Sequence, residues 1–250
     1  MDLETSTKIS LSSLSAVPQT LLIPLVARAK GPALFKNRAQ GQFRDASAED
    51  VVASLHDSGE DHLQDVPSVF GSINRTIIFR SIARDYFDRH PTGTVVNLGC
   101  GLSNYFQWMT DPARTWTDFD LPEVIEVRKK ILKPRSAQHQ VVAGSLTDPS
   151  WRETLKVSAE TPVHLMTEGV SMYLKPGDIR QILKTFAESA PVGSTFALDH
   201  MCWLAAGRAK RHPSVRKTQA EFHWGLRHYS EFTSVDPRIK IVGTHKVMED

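Results

Sequence analysis

The amino-acid sequence predicts an α/β fold in which helices cover both faces of a central, mostly parallel sheet, with an N-terminal helical cap. From Thr94 onward, short runs rich in β-branched and aromatic residues alternate with segments of helical periodicity. The first run ends in the glycine turn Gly99-Cys100-Gly101, and the next ends in the carboxylate of Asp120. Glycines and a carboxylate at neighbouring strand ends are typical of nucleoside-binding sheets.

The chain is predicted to divide into a helical cap over residues 1–93 and a core over residues 94–250. The cap pattern is helical but interrupted by several prolines and glycines. Ser47 is the predicted N-cap of one cap helix, because acidic residues follow it in the first turn. A second helix is predicted over residues 72–87, where apolar residues recur at helical spacing.

Six strands and two crossover helices are predicted in the core. The strands are expected at residues 94–98, 115–119, 140–143, 163–167, 195–198 and 239–242, and the helices at 122–132 and 177–189. Residues 201–232 interrupt the alternation and are predicted to be a helical lid over the ligand cleft. The sequence shows no internal repeat and no long linker between independent domains.

Composition narrows the classes of partner. The 250 residues, 40% of them hydrophobic, are enough to bury a full core. The formal net charge is +2 and there is no dense basic block, so nucleic acid is not favoured as a partner. The apolar stretch 21–27 is too short to span a membrane, and the acidic N-terminus does not match a secretory signal. We therefore expect a cytoplasmic protein without a membrane partner. No metal is expected, because Cys100, Cys202 and the histidines lack ligand spacing.

The glycine turn and Asp120 predict a nucleoside cofactor. Glycines let the backbone approach a ligand closely, and a carboxylate at the tip of the next strand can accept hydrogen bonds from both ribose hydroxyls. Asn104 stands where a dinucleotide site has its third glycine, which favours S-adenosylmethionine over NAD. Alone, the glycines are equally compatible with a purely structural strand-to-helix turn.

Five sequence blocks follow one another in the order found in a single protein family. They are TLLIPLVARA at 20–29, NRT at 74–76, VVNLGCGL at 95–102, DFDLP at 118–122 and EGVSMYL at 168–174. Together they resemble the leucine carboxyl methyltransferase family, and more closely its bacterial branch of tetracenomycin-type polyketide O-methyltransferases. The resemblance implies a class I, Rossmann-like methyltransferase that uses S-adenosyl-L-methionine.

The resemblance also implies a set of cofactor-binding residues. Arg75 would bind the methionine carboxylate and Glu168 the amino group of the cofactor, while Asp120 would hold the ribose. Without the resemblance, Arg75 reads equally as a helix-surface arginine and Glu168 as an ordinary strand-end carboxylate. The other implied residues are Gly99 and Gly101 at the methionine end, Ser145 and Leu146 beside the adenine, and Lys30 folding over the cofactor.

One motif departs from the family pattern. The family usually follows its glycine turn with Asp-Thr-Arg, whereas this chain has Ser103-Asn104-Tyr105. The change removes a charged pair beside the methionine end, so the contacts of that end cannot be carried over from the family.

Three residues are candidates for the catalytic side of the site: His200, Tyr173 and His223. Methyl transfer depends mainly on proximity and orientation. An acceptor hydroxyl benefits from a base, whereas a carboxylate is already ionised. Each histidine is equally compatible with a packed or solvent-exposed position without a catalytic role. A flat, apolar acceptor site is predicted from three aromatic residues of the lid, Trp203, Phe222 and Trp224.

These observations predict an S-adenosylmethionine-dependent O-methyltransferase of secondary metabolism. Its acceptor is expected to be a hydroxyl or carboxylate of a small, aromatic or polyketide-like molecule. Three alternatives stay open: a non-catalytic S-adenosylmethionine-binding partner protein, a methyltransferase of a protein C-terminal carboxylate, and a dehydrogenase. The sequence leaves the oligomeric state open.

Overall fold

A five-stranded parallel sheet forms the centre of the molecule. The computed structural model of the protein describes residues 8–11, 14–155, 157 and 160–249. The strands are β1 (Thr94–Leu98), β2 (Thr115–Asp120), β3 (His139–Ala143), β4 (Val163–Thr167) and β5 (Thr195–Leu198). Their spatial order is β3-β2-β1-β4-β5, and every neighbouring pair is parallel. The predicted α/β fold is confirmed, and all five strands end at the same edge of the sheet.

The order of the strands reverses at β1. The chain moves outward from β1 through β2 to β3, and β4 then returns to pair with β1 on its other side. A crevice opens outside the carboxyl ends of the strands at such a switch point, and ligands of open α/β sheets bind there.

The described part of the chain forms α-helices before, between and after the strands. They are α1 (Leu22–Lys30), α2 (Ala46–Ala53), α3 (Val66–Arg89), α4 (Pro122–Ile131), α5 (Trp151–Thr154), α6 (Pro176–Ser189) and α7 (Ser230–Thr233). None of them is long and apolar enough to cross a membrane.

Two aspartates set the starts of the cap helices. The side chain of Asp45, not the predicted Ser47, caps α2 by accepting a hydrogen bond from the backbone N–H of Ala48 at 2.8 Å. Asp65 caps α3 and accepts a 2.6 Å hydrogen bond from the hydroxyl of Ser68. Because of this cap, α3 begins six residues before the predicted helix 72–87.

Helix α3 joins the N-terminal helices to the sheet. Its first half packs Val69 and Ile73 against Ala27 of α1. Its second half packs Phe79 and Tyr86, with their neighbours, onto one face of the sheet. The opposite face is covered by α5 and α6, through a cluster that contains Trp151, Leu155 and Ile182 together with Val96, Leu98, Phe119 and Leu165. The proposed division at residue 93 therefore separates α3 from a sheet with which it shares a core.

The chain after β5 differs from the prediction in two ways. Residues 201–232 were expected to be helical, but they form short 3-10 turns at Trp203–Ala205, Ala209–Arg211 and Val215–Lys217, followed by the one-turn helix α7. The predicted strand 239–242 was wrong. These residues lie beside no strand of the sheet, and Val242 is 88% exposed, so β-branched composition alone did not produce pairing.

Candidate active site

One cavity of about 950 Å³ lies at the carboxyl ends of the strands, between the sheet, α3 and the segment after β5. Its size is at the upper end of the range of about 300–1,000 Å³ usual for small-molecule sites. Nine of the eleven residues predicted to bind the cofactor or to act in catalysis line this cavity: Arg75, Gly99, Gly101, Asp120, Ser145, Leu146, Glu168, Tyr173 and His200.

The turn after β1 requires glycine at two positions. Gly99 and Gly101 have φ angles of +73° and +52°, in the left-handed region that residues with a side chain rarely adopt. A Cβ atom at Gly99 would lie 2.4 Å from a methyl group of Val170, and one at Gly101 would lie 2.6 Å from a methyl group of Leu21. The turn therefore keeps a bare backbone surface along the cavity, as a cofactor cradle requires.

Asp120 links the end of β2 to this turn. Its two carboxylate oxygens accept hydrogen bonds from the backbone N–H groups of Gly101 at 2.6 Å and Leu121 at 2.7 Å. Burial raises the pKa of Asp120 to about 6, although these two hydrogen bonds oppose the shift. The structure therefore places the predicted ribose-binding carboxylate on the cavity wall, beside the glycine turn. Its contact with ribose stays a prediction.

The predicted adenine, ribose and methionine contacts follow the order of the strands. Ser145 and Leu146 come after β3, Asp120 ends β2, and the glycine turn follows β1. Since β3, β2 and β1 are adjacent, these residues lie side by side along one edge. An extended nucleoside ligand fits this arrangement.

Arg75 lies at the centre of a buried ionic cluster. Its Nε donates to Oε1 of Glu168 at 3.0 Å, and its Nη1 donates to Oδ2 of Asp199 at 2.9 Å. The hydroxyl of Thr76 donates to the same oxygen of Glu168, and the Tyr105 hydroxyl donates to its other oxygen. Two nitrogens of Arg75 are thus engaged by carboxylates of the protein itself.

The two carboxylates of this cluster titrate differently. Burial opposes ionisation of Glu168, but the positive charges of Arg75 and Arg28 lower its pKa below the usual value. Burial raises the pKa of Asp199, and the charge of Arg75 only partly offsets it. Sequence analysis predicted separate cofactor contacts for Arg75 and Glu168. In the structure these two side chains pair with each other, and Arg75 also pairs with Asp199. Asp199 was not predicted from sequence, although it directly follows β5.

A second buried network positions the glycine turn. Arg128 of α4 pairs with Asp118 of β2, and the side chains are 1% and 0% exposed. The same guanidinium donates to the backbone carbonyls of Gly101, at 3.0 Å, and Ser103. His139 contacts Asp118 through Nε2 at 2.7 Å. Sequence analysis missed this network. Its one sequence signal is Asp118 in the middle of a buried strand, where an unpaired carboxylate would be very costly.

The Ser103-Asn104-Tyr105 segment has its own set of partners. The Ser103 hydroxyl donates to the carbonyl of Cys100 at 2.7 Å, and the Asn104 amide donates to the Ser47 hydroxyl at 2.8 Å. Through Tyr105, the segment also reaches Glu168. Tyr105 therefore contributes an uncharged hydroxyl donor to the site where the family usually has an arginine.

The candidate catalytic residues do not all reach the cavity. His200 lines it, and its ring lies edge-on to Tyr229, with a centroid distance of 5.9 Å. Tyr173 also lines the cavity, and burial raises its pKa. His223 is exposed and does not line the cavity; its backbone N–H donates to the carbonyl of Met172 at 2.8 Å. The structure thus separates His223 from the other two.

The predicted aromatic acceptor wall is only partly present. Phe222 lines the cavity and packs against Tyr173 with a centroid distance of 5.8 Å. Trp224 is buried in a neighbouring cluster with Leu226, and Trp203 is 46% exposed; neither lines the cavity.

Lys30 lies away from the cavity as well. Its ammonium group pairs with Glu60 at 2.5 Å, and it lines a separate surface depression with Lys8 and His56. The structure does not bring it to the other predicted cofactor residues. A search of the described residues found no group of three or more His, Cys, Asp or Glu side chains placed to hold a metal ion.

Comparisons with known proteins identify what the chain is similar to. The model of the leucine carboxyl methyltransferase family matches residues 22–187. The tetracenomycin polyketide synthesis O-methyltransferase TcmP of Streptomyces glaucescens is 27% identical over 219 residues, which cover 85% of this chain and 76% of that protein. The S-adenosyl-L-methionine-dependent methyltransferase dpfgK of Gibberella zeae is 24% identical over 186 residues, covering 69% of this chain and 61% of that protein.

A solved structure shares the fold. A Thermobifida fusca protein assigned as a methyltransferase superposes with a TM-score of 0.53 at 16% identity, over 93% of this chain and 80% of that one.

Proposed function

Because the chain belongs to the leucine carboxyl methyltransferase family, we propose that this S-adenosylmethionine-dependent methyltransferase methylates an oxygen of a small, largely apolar molecule. The observation that carries the proposal is the shape of the cavity. A single space of about 950 Å³ joins the strand-end edge to a chamber walled by apolar side chains. Cofactor and acceptor can therefore bind side by side in one site.

The residues present fit the cofactor. The bare backbone of the glycine turn allows close approach, and the Asp120 carboxylate has lone pairs left for ribose hydroxyls after accepting two N–H groups. When bound, the cofactor supplies a methyl group activated on a positively charged sulfur. The Arg75 cluster carries one positive and two negative formal charges, so its net charge is complementary to that sulfonium.

The acceptor chamber favours an apolar molecule. Its walls near the segment after β5 are formed by Ile23, Pro24, Met172, Met201, Ala205, Val215 and Phe222. The two guanidinium groups that line the cavity within the described residues, Arg28 and Arg75, are both already paired with carboxylates. An acceptor that relies on a large charged group would gain little here, whereas a ring system like that of a polyketide would bury its apolar surface.

His200 and Tyr173 are the residues we propose to contact the reacting oxygen. Both line the cavity, as does Asp199, which directly follows β5. Most of the rate acceleration would come from holding the oxygen in line with the methyl group. If the oxygen belongs to a phenol or alcohol, His200 is placed to take its proton. If it belongs to a carboxylate, no base is needed.

The proposal can be tested with trideuteromethyl-labelled S-adenosylmethionine and a panel of hydroxy- and carboxy-substituted naphthalenes and anthraquinones. The wild-type protein should transfer the labelled methyl group to an oxygen, and the product, an aryl ether or a methyl ester, identifies which oxygen reacts.

A matched control is Gly99→Val, whose side chain would enter the space of Val170 and the cradle. This variant should lose transfer. A wild-type protein that binds S-adenosylhomocysteine but labels no acceptor would instead support a non-catalytic binding protein. Labelling of a protein C-terminal carboxylate alone would contradict the small-molecule acceptor.

A further inference from the structure

One face of α3 presents a stripe of residues to the cavity. Ser68, Gly71, Ser72 and Arg75 all line it, and their spacing of three, four and seven residues places them on the same side of the helix. Seven residues of α-helix rise by about 10 Å, so Ser68 and Arg75 leave α3 about 10 Å apart along its axis. The cavity therefore has a second end, distant from the glycine turn.

A histidine that the sequence analysis did not single out lies at this second end. His212 lines the cavity, and its Nε2 is 3.5 Å from the hydroxyl oxygen of Ser68. Its Nδ1 accepts a hydrogen bond from the backbone N–H of Val215 at 3.4 Å. With Nδ1 accepting, the neutral ring carries its proton on Nε2, directed toward Ser68. Its ring also stands edge-on to Phe222, with a centroid distance of 5.9 Å.

The charges around this pair favour a neutral ligand group. Burial lowers the pKa of His212, although Asp65 opposes the shift, so the imidazole is neutral at pH 7. Both oxygens of Asp65 already accept hydrogen bonds, one from the hydroxyls of Ser68 and Ser214 and the other from the backbone N–H of Ser68. A carboxylate placed here would face the Asp65 charge, whereas a hydroxyl or carbonyl oxygen would not be repelled.

The wall between the two ends is small or apolar. At Gly71, an added Cβ atom would lie 3.0 Å from the sulfur of Met248, so the absence of a side chain lets this apolar residue pack close to α3. Met172, Val215 and Phe222 pack into one cluster beside it. The cavity thus offers polar contacts at its two ends and an apolar middle.

We propose that Ser68 and His212 form an acceptor subsite for a neutral hydroxyl or carbonyl oxygen, about 10 Å along α3 from the Arg75 end of the cavity, where the acceptor is methylated. This inference rests on the proposed function and narrows its acceptor to an elongated, largely apolar molecule with an oxygen at each end. On binding, the Nε2–H of His212 donates to the distal oxygen of the ligand in place of its long contact with Ser68. When the distal group is a hydroxyl, the hydroxyl oxygen of Ser68 accepts its proton.

The test uses two probes that differ only in the distal oxygen, 4-hydroxybiphenyl and 4,4′-dihydroxybiphenyl; the oxygens of the latter are separated by about the same distance. Calorimetric titration into the protein saturated with S-adenosylhomocysteine gives the two dissociation constants. The diol should bind about five- to tenfold more tightly, the usual size of one added neutral hydrogen bond. Equal affinities, or no binding of the diol, would overturn the subsite.

Variants assign the effect to the two residues. His212→Phe keeps the ring volume but removes both nitrogens, and Ser68→Ala removes the hydroxyl; each should bring the affinity ratio of the two probes close to one. His228→Phe is the matched control, because His228 is exposed and does not line the cavity, and the ratio should not change. A ratio that persists in both Ser68→Ala and His212→Phe would place the distal contact elsewhere.

Methyl transfer to the acceptor panel is measured separately, so a failure of the proposed function is distinguishable from a failure of the subsite.

Discussion

The affinity for S-adenosylhomocysteine should depend on pH through Asp120. Hydrogen bonds from ribose hydroxyls favour the ionised carboxylate, so binding lowers its pKa and releases a proton. With a pKa of about 6 in the free protein, roughly ten in eleven Asp120 side chains are protonated at pH 5. The dissociation constant should therefore rise about tenfold between pH 8 and pH 5, which equals about 1.4 kcal/mol.

Asp120→Asn is the informative variant. An amide has one acceptor oxygen, and its NH₂ group would face either the Gly101 or the Leu121 N–H, so affinity at pH 8 should fall by about 1–3 kcal/mol. The pH dependence should flatten at the same time, because the titrating group is gone while Asp199 is retained.

Calorimetric titration at half-unit steps from pH 5 to pH 8 measures both effects. If the dissociation constant changes with pH by the same amount in the wild type and in Asp120→Asn, Asp120 is not the titrating group and the reasoning is refuted. The pH dependence of the free energy of unfolding gives an independent check on the direction of this pKa shift. A carboxylate with a pKa of about 6 in the folded state and 3.8 in the unfolded state destabilises the fold above pH 6. This destabilisation weakens as the pH falls from about 6 toward 3.8, so protonation of Asp120 itself stabilises the fold over the range in which affinity is lost.

Three further substitutions test individual contacts. Arg128→Met should lower the free energy of unfolding in urea by about 3–5 kcal/mol, because it leaves the buried Asp118 carboxylate without its guanidinium partner; a loss below about 1 kcal/mol would contradict this role. Tyr105→Phe should lower the same quantity by about 1.5–3 kcal/mol, since it removes a hydrogen bond to the ionised Glu168. Lys30→Ala should leave the affinity for S-adenosylhomocysteine unchanged within about twofold, because Lys30 lies outside the cavity in a surface pair of about 0–1 kcal/mol; a larger loss would restore its predicted role.

The strands that build the site were predictable from local patterns. Buried parallel strands are short apolar runs between turn signals, and the predicted runs at 94–98, 163–167 and 195–198 coincide with β1, β4 and β5. Since parallel strands end at one edge, residues just after them come together. Asp120 and the glycine turn were placed correctly for this reason, although they are about twenty positions apart in the chain.

The side-chain partners at that edge were not predictable in the same way. The side chains of Arg75 and Asp199 are in contact although they are 124 positions apart in the sequence, and those of Ser68 and His212 although they are 144 positions apart. Such pairs depend on how α3 is rotated and on where the segment after β5 crosses it, and neither leaves a periodic signal. The predicted strand 239–242 failed for the converse reason: its apolar residues favour extended backbone, but they pair with neither edge strand of the sheet, β3 or β5.

Arg75 shows how a correctly placed residue can act differently from the role a family resemblance implies. Its Nε and Nη1 are held by Glu168 and Asp199, while its side chain stays 18% exposed to the cavity. An arginine with two carboxylates leaves a net negative charge, and that charge attracts the sulfonium of the cofactor more strongly than the uncharged sulfur of the product. Under the proposed function, we expect the cluster to favour the methyl donor over the demethylated product, with Arg75 holding the two carboxylates in place.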